Sequence, residues 1–194
     1  RIAGPAKGNI AVYRSLYDPN PKIFELLLAA SALRDAGASA VTLIAPYLGY
    51  MRQDVAVAPG EAVSQRVLGQ TFVGFFDGFV SVEPHLHRTA SLAEIFGGRP
   101  SLALSGAGAI AAAIKSRGTS AQATVLGPDE ESAPLTRAVA GELGLPWFVA
   151  TKVRAGDRNV HVKLPPDCVL RDRDVIIVDD VISTGITIAS LTEE

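Results

Sequence analysis

Cysteine is all but missing from this chain: Cys168 is the single one among 194 residues. A lone thiol makes no internal disulfide, and its scarcity fits a reducing compartment. Histidine is scarce too. His85, His87 and His161 are the only three, and a structural zinc site at His85 and His87 would need both His161 and Cys168 from distant segments, so none is expected. Excess charge of either sign is absent, since 18 basic residues face 20 acidic ones. No basic field draws nucleic acid, and no run of like charge reads as a tail. No apolar run approaches the roughly 20 residues that cross a bilayer, and nothing at the N-terminus reads as a signal peptide. These absences predict a soluble, cytoplasmic protein that binds neither nucleic acid nor membrane. An initiating methionine is also missing, and the chain stops at Glu194 only about two turns into a helical pattern. The expectation is therefore a piece of something longer, truncated at both ends.

What is present is a rhythm. Strand-like apolar runs alternate with helical patterns throughout, which predicts a parallel α/β architecture. Strands are expected at 9–13, 41–45 and 79–82. A helix follows the first, with Asn20 and Pro21 as N-cap and first turn, an apolar stripe of Ile23, Leu26, Leu27, Ala30 and Leu33, and Gly37 at its end. A second helix is expected after Pro59-Gly60, with Val63, Val67, Leu68 and Phe72 on one face. A second set begins near Ser101: a helix at 107–114, a strand at 123–126, a helix at 134–143, and strands at 147–150 and 175–178. No close repeat is visible, yet both halves share the rhythm, which predicts two similar domains, 1–100 and 101–194. Residues 154–167, with Gly156, Pro165 and Pro166, read as a long loop or hairpin able to move over a site.

Residues 174–187, Asp-Val-Ile-Ile-Val-Asp-Asp-Val-Ile-Ser-Thr-Gly-Ile-Thr, carry the strongest chemical signal. Val175 to Val178 suit the doubly covered middle of a parallel sheet. Asp179 and Asp180 then stand at the strand's carboxyl end, where open α/β sheets bind ligands. Ser183, Thr184, Gly185 and Thr187 follow, and their hydroxyls and backbone N–H groups make a small anion site at the next helix. Acids beside an anion site conflict unless the ligand also offers hydroxyls or a bound cation, because ionised Asp only accepts hydrogen bonds. A ribose 5-phosphate has that layout. The plainer alternative is a capped helix with two acids near its dipole.

Four further segments matter. In the segment 43–54, Arg52 and Gln53 offer planar donors suited to phosphate and adenine edges beside Tyr47 and Tyr50, or simply form a packed turn with a surface Arg. In Glu83-Pro84-His85-Leu86-His87-Arg88, residues two apart face the same way, so His85 and His87 either converge on one ligand or are ordinary hydrogen-bonded histidines. Asp129, Glu130 and Glu131 form another acidic turn at a strand end, or cap the helix that follows. Lys152 and Arg154 share a face of an extended segment and can reach one anionic group together, or form an exposed basic strand end.

These segments, in order, resemble the ribose-phosphate diphosphokinases, the synthetases of phosphoribosyl diphosphate (PRPP). Residues 46–54 resemble that family's Pro-Tyr-x-x-Tyr-x-Arg-Gln-Asp signature, which simple phosphoribosyltransferases lack, and residues 174–187 resemble the ribose-phosphate loop that both families share. His85 matches the His of an Asp-Leu-His motif, Asp129 the Asp of Ser-Pro-Asp-x-Gly-Gly, and Lys152 and Arg154 the first and third residues of Lys-Arg-Arg. The departures are Glu83-Pro84, Glu130-Glu131, Ser183 and Ile186, and no Phe-x-Asp-x-Glu adenine segment is found. The resemblance implies two type I phosphoribosyltransferase-like domains, each a mainly parallel sheet flanked by helices, the first on the ATP side and the second, incomplete, on the ribose 5-phosphate side. It implies transfer of the β,γ-diphosphoryl group of ATP to ribose 5-phosphate. By match, Arg52 and Gln53 bind ATP, His85 and Asp129 attend Mg²⁺, and Lys152 and Arg154 are catalytic. Asp179, Asp180 and Ser183 to Thr187, Gly185 and Ile186 included, bind ribose 5-phosphate. A homodimer or larger homo-oligomer is implied as well. A phosphoribosyltransferase consuming PRPP, and an inactive regulatory relative of the synthetase, stand as alternatives.

Overall fold

The computed structural model describes residues 1–155, 159–168, 170–182 and 184–192; within 152–162, and at Ile186 and Thr187, it describes the backbone only. The chain forms two compact units, Arg1–Leu104 and Ser105–Glu194.

The first unit is built on a four-stranded sheet of Gly8–Tyr13 (β1), Ala38–Ile44 (β2), Gly78–Val82 (β3) and Ser101–Leu104 (β4). The strands lie in that order and every pairing is parallel. The run at 101–104 therefore completes this sheet, with Val80 opposite Leu102. Apolar periodicity marks such a run as a strand without saying which sheet it joins.

Helix α1, Pro19–Asp35, buries Leu26, Ala30 and Leu33. Its N-cap is Asp18 and not Asn20. Proline's fixed φ suits Pro19 to the first helical position, so the helix starts one residue early and Asn20 falls inside its first turn. Asn20 is used elsewhere, its Oδ1 accepting the Tyr50 hydroxyl. Helix α2, Ser64–Phe72, also departs from expectation. It buries Gln65, Leu68, Gly69 and Phe72, while Val67 remains 51% exposed. The 65, 68, 69, 72 spacing is itself a helical stripe, and the polar Gln65 hides it from a reading of apolar residues alone. Below α2, Phe72, Phe76, Phe79 and Phe96 gather in one core, with Phe79 and Phe96 stacked at 3.6 Å between centroids. Leu92–Ile95 (α3) supplies the last short helix of this unit.

The second unit starts with Ala107–Arg117 (α4) and Thr124–Gly127 (β5), the one strand in the unit's three-stranded sheet that is buried at every residue. A 3₁₀ turn, Glu130–Ser132, leads into Ala133–Leu143 (α5) and Trp147–Val149 (β6). Thr151–Ala155 (β7) and Asn159–Lys163 (β8) pair antiparallel as a hairpin, and Val175–Ile177 (β9) and Ile186–Thr192 (α6) follow. The sheet order is β6-β5-β9, all parallel. Among the described strands β5 is the central, covered one and β9 flanks it, with Val175 40% exposed. A short apolar run fits either position, because the two differ only in what lies alongside. Among the described residues no helix is long and apolar enough to cross a membrane.

Candidate functional site

In the second unit, Leu126 of β5 lies opposite Ile177 of β9. Parallel pairing makes both strands end at the same edge, so Asp129 and the pair Asp179-Asp180 emerge side by side. The electrostatics register this crowding. Asp179 is half-buried, and burial is the main cause lifting its pKa to about 6. The charges of Asp180 and Asp129 push the same way, against a backbone hydrogen bond from the Asp180 N–H to Asp179 Oδ1 at 2.9 Å. Such a cluster offers hard acceptor oxygens, suited to sugar hydroxyls or a divalent cation and unsuited to bare phosphate.

Asp129 is held by a reciprocal cap. Its Oδ1 accepts the Ser132 N–H at 3.1 Å, while the Asp129 N–H donates to Ser132 Oγ at 3.4 Å. The cap demands glycine at 127: a Cβ there would collide with Ser132 Oγ and stand 2.6 Å from Thr136 Oγ1. Glu130 and Glu131 are exposed on the turn that follows. After β9, Thr184 is exposed and Gly185 adopts φ 75, a left-handed turn open to glycine, from which α6 departs with Ile186 and Thr187 in its first turn. Ser183 lies outside the described residues, and so do the side chains of Ile186, Thr187, Lys152 and Arg154. The β7 register sets Lys152 opposite Val162 and Arg154 opposite Val160.

The first unit brings together Arg52, Gln53 and His85. Arg52 and Gln53 are exposed in the loop after β2, two residues beyond Tyr50, whose φ is 64. His85 follows β3 and Glu83, whose φ is 41. Positive φ in non-glycine residues costs on the order of 1–3 kcal/mol and persists where the surroundings overdetermine it. Both strained turns end a parallel strand, next to candidate residues. The His85 ring is buried and meets His87 edge-on, 4.1 Å between centroids.

Two connections that the sequence reading missed tie these loops together. Gln65, 5% exposed, donates from Nε2 to the carbonyls of Met51 and His85, each at 3.3 Å. Asp54, its side chain 2% exposed, accepts from Arg88 Nη1 through both carboxylate oxygens, at 3.0 and 3.1 Å. A glutamine at a core position of an otherwise apolar stripe was the available signal. A separate cavity of about 330 Å³, lined by Ile23, Tyr50, Ala62, Ser64, Val67, Leu68 and Thr71, is too apolar to hold phosphate.

Comparison with known proteins follows the same division. A family model described as the N-terminal domain of ribose phosphate pyrophosphokinase matches residues 7–74, and a phosphoribosyl transferase domain matches residues 101–194. The ribose-phosphate pyrophosphokinase of Thermoplasma acidophilum is 32% identical over 168 residues, covering 87% of this chain and 56% of that protein. The protein of the same name from Thermococcus kodakarensis is 31% identical over 193 residues, covering 100% of this chain and 66% of that one. That of Saccharolobus solfataricus is 35% identical over 181 residues, covering 91% and 59%. The chain thus spans less than two thirds of the length of these relatives. In fold, it superposes along its whole length on 62% of the crystal structure of phosphoribosylpyrophosphate synthetase from Mycobacterium smegmatis, with a TM-score of 0.79 at 24% identity.

Proposed function

The chain belongs to the ribose-phosphate pyrophosphokinase family, and from that premise we propose that the whole protein transfers the β,γ-diphosphoryl group of ATP to the 1-hydroxyl of ribose 5-phosphate, yielding PRPP and AMP. The observation that carries this reading is the line of three carboxylates, Asp129, Asp179 and Asp180, ahead of the Gly185 turn. It is an acceptor surface for sugar hydroxyls and cation, set beside a loop suited to the 5-phosphate. The exposed Arg52-Gln53 turn, within the stretch that matches a pyrophosphokinase N-terminal domain, favours ATP over a nucleobase as the second substrate.

The roles then divide as follows. Asp179 and Asp180 hold the ribose hydroxyls, and residues 183–187 hold the 5-phosphate. Arg52 and Gln53 bind ATP. Lys152 and Arg154 stabilise charge that develops on the transferred group, the term that dominates when chemistry needs positioning more than a strong base. The donor set fits Mg²⁺: the oxygens are hard, and burial first, then repulsion from Asp180 and Asp129, raises the Asp179 pKa, a cost of ionisation that a divalent cation offsets. When bound, Mg²⁺ would supply neutralisation of the diphosphoryl oxygens; His85 is the candidate metal residue of the first unit and Asp129 that of the second. Exposure of Glu130 and Glu131 supports turnover over a silent regulatory role. A cytoplasmic homo-oligomer completes the proposal.

The test is incubation of the full-length protein with ATP, Mg²⁺ and ribose 5-phosphate, with AMP and PRPP expected in equal amounts. Diphosphate release from PRPP that depends on a nucleobase, without AMP formation, would select a phosphoribosyltransferase instead. Silence in both assays would select a regulatory relative.

A further inference from the structure

We infer that Gln65 is a positioning residue for nucleotide binding, fixing the spacing between the Arg52-Gln53 turn and the His85 loop. The inference rests on the nucleotide role proposed above for those residues. One side chain and its own backbone N–H reach four points on two loops. Nε2 donates to Met51 O and His85 O, Oε1 accepts the Thr89 hydroxyl, and the backbone N–H donates to Gln53 O, each at 3.3 Å.

The amide is oriented by its partners. Two carbonyls face Nε2 and a hydroxyl faces Oε1, so the reverse orientation would set oxygen against two oxygens. Every hydrogen of the Nε2 group is therefore used at a site that is 5% exposed, where an unmade bond is costly. The same helix also reaches the first loop through Ser64 Oγ, which donates to Tyr50 O at 2.9 Å. The helix that carries Gln65 is itself fixed through Leu68 and Phe72 in the phenylalanine core. Gln65 thus transmits a rigid element to two turns whose backbones, at Tyr50 and Glu83, are strained. Loss of this bracket displaces the turns without removing any group that touches ATP, and small misplacements of binding groups are expensive.

The experiment compares full-length wild type with Gln65→Met, which keeps volume and removes every side-chain hydrogen bond, and with Thr89→Val, which removes the Oε1 partner alone. Amide hydrogen exchange is expected to quicken roughly tenfold or more in both 51–54 and 85–89 of Gln65→Met, with β2 and β3 protected as before. Thr89→Val should move the same two segments by less. KM for ATP should rise about tenfold while KM for ribose 5-phosphate stays within about twofold. Unchanged exchange in either segment would overturn the inference. So would acceleration spread over β2 and β3, or a rise in both KM values. Should wild type form neither AMP nor PRPP, the proposed function falls, and the exchange pattern alone decides on Gln65.

Discussion

Replacing Asp179 by Asn should stabilise the metal-free protein at neutral and alkaline pH, the reverse of the usual loss of a native carboxylate. Burial first, and then the charges of Asp180 and Asp129, raise the Asp179 pKa from 3.8 to about 6. The folded state therefore holds this proton more tightly than the unfolded chain. Its contribution to stability is fully present below about pH 4 and is lost as the pH rises through about 6. At 1.36 kcal/mol per pKa unit the full effect is about 3 kcal/mol. Asp179 is only half-buried, and solvent screening reduces that to about 1–2 kcal/mol. For a chain of this size that is a change in Tm of roughly 3–6 °C. Thermal melts of chelator-treated wild type and Asp179→Asn from pH 4.5 to 8 read it directly. The variant should melt higher at pH 8, with the gap closing toward pH 4.5, and Mg²⁺ at pH 8 should raise wild type toward the variant. Equal melting temperatures at pH 8, or a more stable wild type there, would refute the account of a crowded, cation-seeking carboxylate.

Lys152→Ala should leave Tm unchanged and lower the rate of PRPP formation by about a hundredfold or more, the cost of one well-placed donor of about 3 kcal/mol; near-normal turnover removes Lys152 from the proposed catalytic role. Gly127→Ala should destabilise by about 1–3 kcal/mol in urea unfolding, because its Cβ strikes the buried Ser132 and Thr136 hydroxyls, whereas Gly141→Ala, with nothing within 4 Å of its Cβ, should not. Arg88→Ala should cost about 1–3 kcal/mol by stranding the buried Asp54 carboxylate, and Arg88→Ala combined with Asp54→Asn should recover part of that; an additive double variant would show that the pair is not coupled.

Most of the α/β layout was legible in the sequence, because helices and buried strands impose different apolar periods and Pro and Gly punctuate them. What apolar periodicity leaves open has one cause. Val175–Val178 is apolar enough for a central strand, but whether a strand is central depends on its neighbours, and among the described strands only β5 lies beside β9. Likewise, 101–104 is a strand by pattern and a member of the first sheet only by pairing. The candidate residues stood out because each follows a strand's carboxyl end in a polar cluster. Gln65 and the Asp54–Arg88 pair did not, since their partners lie 14, 20 and 34 residues away along the chain, and no local pattern records which distant group a buried amide or carboxylate will meet.

The two units meet the same difficulty by different means. A turn that presents polar groups to a ligand cannot also bury apolar side chains to fix itself, so its backbone must be held from behind by hydrogen bonds. In the second unit the hold is local: Asp129 and Ser132 bond each other's backbone, and Gly127 leaves the room in which Ser132 can reach. In the first unit the hold is remote, through Gln65 on α2 and the ion pair between Asp54 and Arg88. A local cap is written within four residues and survives as long as they do. A remote bracket depends on helix packing, so core substitutions at Leu68 or Phe72 should reach the Arg52-Gln53 turn, while those around α5 act on Asp129 through the helix that the cap begins.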